Sequence, residues 1–179
     1  MLRDDVKKVL ISEEEIALKC KELGEQISND YKDTVPVIIG LLKGSVPFMA
    51  ELVKNISIDC EMEYMAVSSY SGTESMGDVR INKDLDRSIK DCDVLIVEDI
   101  VDTGKTLEKV KDLLYSKGAK TVKVVSLLDK PSRRLVDIEA DYVGFSIPNE
   151  FVVGFGLDFN QRYRNLPFVG VLKEELYKE

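Results

Sequence analysis

The sequence predicts an α/β fold in which a parallel, twisted sheet is flanked by helices on both faces. Strand-like and helix-like segments alternate through the middle of the chain. The strands are near-continuous apolar runs, such as 35-VPVIIGLL-42 and 94-VLIV-97, which suits strands buried on both faces. The helices carry start and stop signals. With 179 residues and neither a repeat nor a Pro/Gly/Ser linker, the chain reads as a single domain over 1–179.

In chain order, Ser12-Glu13-Glu14-Glu15 has capping-box spacing, and Ile16, Cys20, Leu23 and Ile27 follow on one face, so a helix is expected over 13–30. The run 35–42 is a short buried strand, and Lys43-Gly44-Ser45 turns it into a helix starting near Pro47. The segment 56-ISIDCEMEYMAVSSY-70 begins with alternation and suits a half-exposed strand. Residues 71-SGTESMGD-78 are small and polar, and 79-VRINKDL-85 is strand-like, so the pair is expected to form a mobile hairpin or flap. Beyond the strand ending in 94-VLIV-97, Leu107, Val110 and Leu114 share a helical face and Gly118 fits a C-terminal cap. The runs 121–129, 141–147 and 168–172 complete the strands.

Composition narrows the function. The chain is 44% hydrophobic and 32% charged, which excludes a disordered polymer. A formal charge of −8 disfavours a general nucleic-acid binder. Histidine is absent, so a His-ligated metal and a His-based triad are excluded. Cys20, Cys60 and Cys92 fit no zinc pattern and suit reduced thiols. With a charged N-terminus and no long apolar run, a cytoplasmic protein is expected.

The chemistry concentrates in 94-VLIVEDIVDTGKTL-107. Thr103-Gly104-Lys105-Thr106, a turn from a strand end into a helix, offers backbone N–H groups, two hydroxyls and an ammonium to an anion such as a phosphate monoester. A nucleotide P-loop is rejected, because the position of its leading glycine holds Asp99. The dinucleotide fingerprint fails too: Gly154 and Gly156 are followed by Phe159 where a third glycine is required. Glu98 and Asp99 would repel that phosphate, so they call for another partner, either a vicinal diol or a hydrated Mg²⁺. A ligand with a phosphate at one end and a ribose diol at the other satisfies both. Asp102 reads either as an N-cap for a helix starting at 103 or as a general base beside the sugar.

This segment resembles the phosphoribosyl-pyrophosphate (PRPP) motif of the type I phosphoribosyltransferases, and its E-D-I-V-D-T-G-K-T form resembles the hypoxanthine-guanine phosphoribosyltransferases in particular. The resemblance continues, in the family's order, through 40-GLLKGSVPF-48, 68-SSYSGTESMGD-78, 127-LLDKPSRR-134 and 141-DYVGFSIPNEFVVGFGLDFNQRYRNLP-167. It implies a small hood over the sheet, a flexible lid loop, and transfer of the phosphoribosyl group of PRPP to hypoxanthine or guanine with Mg²⁺. It also implies a homodimer or homotetramer, with no nucleic-acid or membrane partner.

By the same resemblance, Glu98 and Asp99 lie at the ribose, Asp102 is the general base at the purine, and Thr103, Gly104, Lys105 and Thr106 hold the 5′-phosphate. Leu42, Lys43 and Gly44 match the pyrophosphate loop, where the family has a cis peptide between the first two, and Arg164 matches a second pyrophosphate contact. Lys130 matches the donor to the purine 6-oxo group, Phe151 the stacking aromatic and Val152 the backbone that reads the base edge. Asp158 matches a residue near the purine and the pyrophosphate-bound Mg²⁺, giving Glu98, Asp99 and Asp158 as metal-side carboxylates. Ser69 and Tyr70 match the head of the lid. Glu150 departs from relatives that carry a basic residue there, which leaves open the order of guanine, hypoxanthine and xanthine. The alternatives are a phosphoribosyltransferase for another base and a PRPP-sensing regulator on the same fold.

Overall fold

The computed structural model describes residues 2–69 and 79–178. After a 3-10 turn, Leu2–Asp5, the elements are β1 (Val6–Ile11), α1 (Glu13–Asp30), β2 (Val37–Leu41), α2 (Val46–Val53), β3 (Glu61–Ser69), β4 (Val79–Lys83), β5 (Asp93–Val101), α3 (Lys105–Ser116), β6 (Thr121–Asp129), β7 (Tyr142–Ser146), β8 (Val152–Val153) and β9 (Val169–Leu172), with further 3-10 turns at Pro131–Arg133 and Glu174–Leu176. The capping box forms as spaced: the Glu15 amide donates to Ser12 Oγ at 3.2 Å, and the Ser12 amide donates to the Glu15 carboxylate at 2.7 Å.

The main sheet has the order β4-β3-β2-β5-β6-β7. Every pairing is parallel except that of β4 with β3. Alternate residues face opposite sides. Ile38, Leu95, Val97, Val125 and Leu127 pack with Ile16, Cys20 and Leu23 of α1 and with Phe48, Met49 and Leu52 of α2. Val37, Ile39, Val94, Ile96, Val122 and Val124 pack with Leu107, Val110 and Leu114 of α3. Both faces are therefore covered, which is why these strands are apolar throughout.

Connections run one way from β2 through α2 to β3, and the other way from β5 through α3 to β6. The order reverses between β2 and β5, and ligands of such sheets bind at that point, beyond the carboxyl ends of the strands. The loop after β2 is 42–45, and the turn after β5 is 102–104.

Three details differ from expectation. β3 begins at Glu61 rather than at 56, because β2 offers its first pairing residue, Val37, opposite Glu61. The run 168–172 supplies β9, which leaves the main sheet and joins β1-β9-β8, a separate antiparallel sheet. β1 carries no clear strand signal: VKKVLI places two lysines mid-strand, and its partner β9 lies at the far end of the sequence. Tyr70 and the expected flap over 71–78 lie outside the described residues, and Ser69 is the last residue of β3.

Candidate active site

The acids end β5. Glu98 and Asp99 are half-buried in the strand's last turns, between β2 and β6. The Ile100 amide donates to Asp99 Oδ1 at 2.7 Å. Burial pushes the Asp99 carboxyl up to about 6, with Arg164 pulling it back and Asp158 raising it further. Burial also raises Glu98 well above the ordinary carboxylate range, helped by the charge of Asp99.

Across the switch point, the Leu42-Lys43 peptide is cis. Gly44 lies against Asp99 so closely that a Cβ there would run into the carboxylate. A Cβ on Gly156 would in turn strike the Gly44 carbonyl, so two bare backbones meet at this place. Over them lies the loop after β8, wound through left-handed residues at Gly154, Phe155, Gly156, Asn160, Gln161 and Tyr163. Arg164 donates through Nη1 to the Gly156 carbonyl at 2.6 Å and pairs through Nη2 with Asp158 Oδ1 at 3.0 Å. Lys43 Nζ and Arg164 Nη2 both approach Gln161 Oε1, at 3.4 and 3.2 Å. The fold thus brings Lys43, Gly44, Asp99, Asp158 and Arg164 to one place.

Beyond β5, a cavity of about 250 Å³ is lined by residues 98–104, Thr106 and Leu107. Gly104 adopts φ +82°, and a Cβ on it would meet Ile138 and Val136, so glycine is required there on both counts. Lys105 is exposed on α3 and is not among the residues lining this cavity. The N-cap reading of Asp102 is overturned. Helix α3 starts at Lys105 with Gly104 as its N-cap, and the Asp102 side chain turns away to accept from Arg133 Nε at 3.1 Å. Its backbone carbonyl accepts from Arg134 Nη1 at 2.6 Å.

A second, larger cavity of about 570 Å³ shares Ile100 and Asp102 with the first. Its lining includes Ile100, Asp102, Lys130, Phe151, Val152 and Asp158. Lys130 follows β6 and is buried; its ammonium donates to the Glu150 carbonyl at 2.7 Å. Burial lowers its pKa from the ordinary lysine value, against the pull of Asp102. The rings of Phe151 and Phe159 stand perpendicular, with centroids 5.7 Å apart. Glu150 Oε1 accepts from Lys8 of β1 at 2.9 Å, so the departing acid is tied to the small sheet. Sequence reasoning missed Arg133, Arg134 and the apolar walls Ile100 and Leu157. The basic run directly after the end of β6 was the available signal for the arginines, since ligands gather at such ends.

The carboxylates are hard oxygen donors. Among the described residues no three acids or cysteines converge into a metal cage. One or two carboxylates completed by ligand phosphates and water is the usual way to hold Mg²⁺, so the residues present fit it.

Keeping two neighbouring carboxyls buried costs stability. The folded pKa of Asp99, about 6, lies above the ordinary aspartate value, so its contribution is fully present below pH ~4 and is lost as the pH rises through about 6. Asp99→Asn is therefore expected to raise the stability of the ligand-free protein by about 1–3 kcal/mol at pH 7.5, with the gain shrinking toward pH 4.5. Melting curves of both proteins across that range test it. An unchanged or lower Tm for the variant at pH 7.5 would show that the carboxylate is not held at a cost.

A family model described as a phosphoribosyl transferase domain matches residues 9–160. The hypoxanthine-guanine phosphoribosyltransferase of Streptococcus agalactiae serotype V is 57% identical over the full length of both chains. Among solved structures, a hypoxanthine phosphoribosyltransferase from Staphylococcus aureus superposes with a TM-score of 0.96 at 51% identity, covering 99% of this chain and 97% of that one. The hypoxanthine phosphoribosyltransferase of Trypanosoma cruzi, in complex with the product IMP, gives a TM-score of 0.92 at 41% identity, with 97% of each chain covered.

Proposed function

Because this chain belongs to the phosphoribosyltransferase family, we propose that it transfers the 5-phosphoribosyl group of PRPP to hypoxanthine or guanine, giving IMP or GMP and pyrophosphate. The observation that carries this is that Asp102, together with Ile100, lines both cavities. The smaller joins the carboxylates to the 103–106 turn, and the larger joins Lys130 to Phe151. A sugar-phosphate and a purine held in these two spaces would meet beside Asp102.

In this reading the 5′-phosphate takes the N–H groups and hydroxyls of Thr103, Gly104 and Thr106. The ribose diol faces Glu98 and Asp99, whose negative charge favours the positive character that develops on the sugar as pyrophosphate leaves. Lys43 and Arg164 receive the departing pyrophosphate, displacing Gln161 from between them. Mg²⁺, held on the side of Glu98, Asp99 and Asp158, would supply charge neutralisation for that leaving group. The C1–O bond to pyrophosphate breaks as the C1–N9 bond forms, and Asp102 accepts the purine proton made acidic by that bond.

Lys130 sets the choice of base. An ammonium has donors only, so it suits a 6-oxo acceptor and leaves a 6-amino group facing a buried charge. Phe151 offers a stacking face, and the Val152 backbone offers groups to the base edge. Ser69 leads into the lid, which would exclude water from a sugar cation that water would otherwise capture. A homodimer or homotetramer working in the cytoplasm is part of this proposal, on the strength of the family resemblance; separately, among the described residues no helix is long and apolar enough to cross a membrane.

The test is pyrophosphate release by purified protein with PRPP and Mg²⁺, offering hypoxanthine, guanine, xanthine, adenine and uracil in turn. Release with hypoxanthine or guanine, and none with adenine or uracil, is expected. Release only with a pyrimidine, or with no base at all, would overturn the assignment.

A further inference from the structure

Phe151 is not held by its own segment alone. Its backbone carbonyl accepts from the Leu172 amide at 2.9 Å, at the end of β9. The Lys173 amide then bonds to the Asp5 carbonyl at 3.0 Å, and the 3-10 turn Glu174–Leu176 brings the chain back. This return lays Tyr177 on the ring of Phe151, with centroids 4.6 Å apart and planes 22° apart, a stacked pair. Phe159 meets the same ring edge-on at 89°. Phe151 thus has Tyr177 stacked on its ring and Phe159 perpendicular to it. Glu174, Tyr177 and Lys178 line the same large cavity as Lys130 and Asp102. Glu174 and Lys178 pair at 2.8 Å and close the turn.

We propose that Tyr177 is a positioning residue for the purine: by stacking on Phe151 it fixes the plane of the ring against which the base lies. The proposal rests on the purine-transfer reading above and adds the C-terminal turn to the base site. Phe151 is more than a third exposed, so without a backing ring it would be free to turn about its side-chain bonds. A base stacked on a turning ring is held at the wrong angle to Lys130 and Asp102. The 103–106 turn and the 42–44 loop lie in a different part of the site, so the grip on the sugar-phosphate is independent of Tyr177.

The experiment uses the full chain with Tyr177→Ala, Tyr177→Phe and Tyr177→Leu, and measures KM for hypoxanthine and for PRPP, kcat, and Tm. For Tyr177→Ala, a rise of about three- to tenfold in the KM for hypoxanthine is expected, with the KM for PRPP within twofold of wild type. Tyr177→Phe, which keeps the stacked ring, should restore the hypoxanthine KM. Tyr177→Leu, which covers Phe151 without a ring plane, should not. Restoration by Leu as complete as by Phe would reduce the contact to packing and overturn the proposal, as would an unchanged hypoxanthine KM in Tyr177→Ala. A rise in both KM values together, with a fall in Tm, would likewise overturn it as a general loss of structure. Failure of the wild type to transfer to any purine would remove the parent reading, a result distinct from an active wild type with a silent Tyr177.

Discussion

Asp102→Asn is expected to lower turnover by about 10²–10⁴-fold while PRPP binding stays near the wild-type value. The substitution changes a proton acceptor into a group that cannot hold a proton, at nearly constant shape. The backbone should survive it, because the Asp102 carbonyl, not its side chain, receives Arg134 Nη1. The 103–106 turn is set by Gly104 at φ +82° rather than by the Asp102 side chain, so the phosphate end should be untouched. The Arg133 pairing with Asp102 is exposed and weak, and an amide oxygen can accept from the same nitrogen. Steady-state turnover at saturating substrates, with PRPP affinity read from the shift in Tm, separates the two effects. Turnover within a few-fold of wild type would remove Asp102 from the chemistry.

Lys130→Met should act on the other substrate. The expected loss is about 10- to 150-fold in kcat/KM for hypoxanthine, the range for one hydrogen bond to a charged donor, with the KM for PRPP unmoved. Methionine keeps an apolar stem of similar length in a buried place, so cavity formation contributes little. Two acceptors would lose the ammonium: the purine 6-oxo group of the proposed base site, and the Glu150 carbonyl, now 2.7 Å from Nζ. Adenine, which the ammonium would exclude in this reading, should lose nothing, so the ratio of the two bases narrows by the same factor. Hypoxanthine kinetics indistinguishable from wild type would place base recognition elsewhere.

Much of the site was legible in 94–107, because an apolar run of strand length followed by acids and a glycine turn has few structural solutions. The two-faced sheet was legible for a related reason: Ile38 and Ile39, or Val94 and Leu95, point to opposite sides, and both sides demanded apolar residues. What escaped was non-local. The capping reading of Asp102 failed because Gly104 serves that helix, and Arg133 competes for the carboxylate from 31 positions away. The strand Val6–Ile11 escaped because its pairing partner is Val169–Leu172. The stack of Tyr177 on Phe151 escaped because nothing in a tail of charged residues announces which ring it will meet.

The small sheet β1-β9-β8 shares no strand with the large one. In the proposed reading, strand ends of the large sheet carry the grip on the sugar-phosphate. The small sheet carries Val152, with Phe151 directly before it, and through Lys8 it anchors Glu150. In that reading the enzyme is assembled from a handle, which also lends Lys130 to the base, and an exchangeable head. A search for new base preferences should draw its diversity from β1, from 149–153 and from 172–178, and leave β2 and β5 alone. Variation spent on the handle would cost every substrate equally.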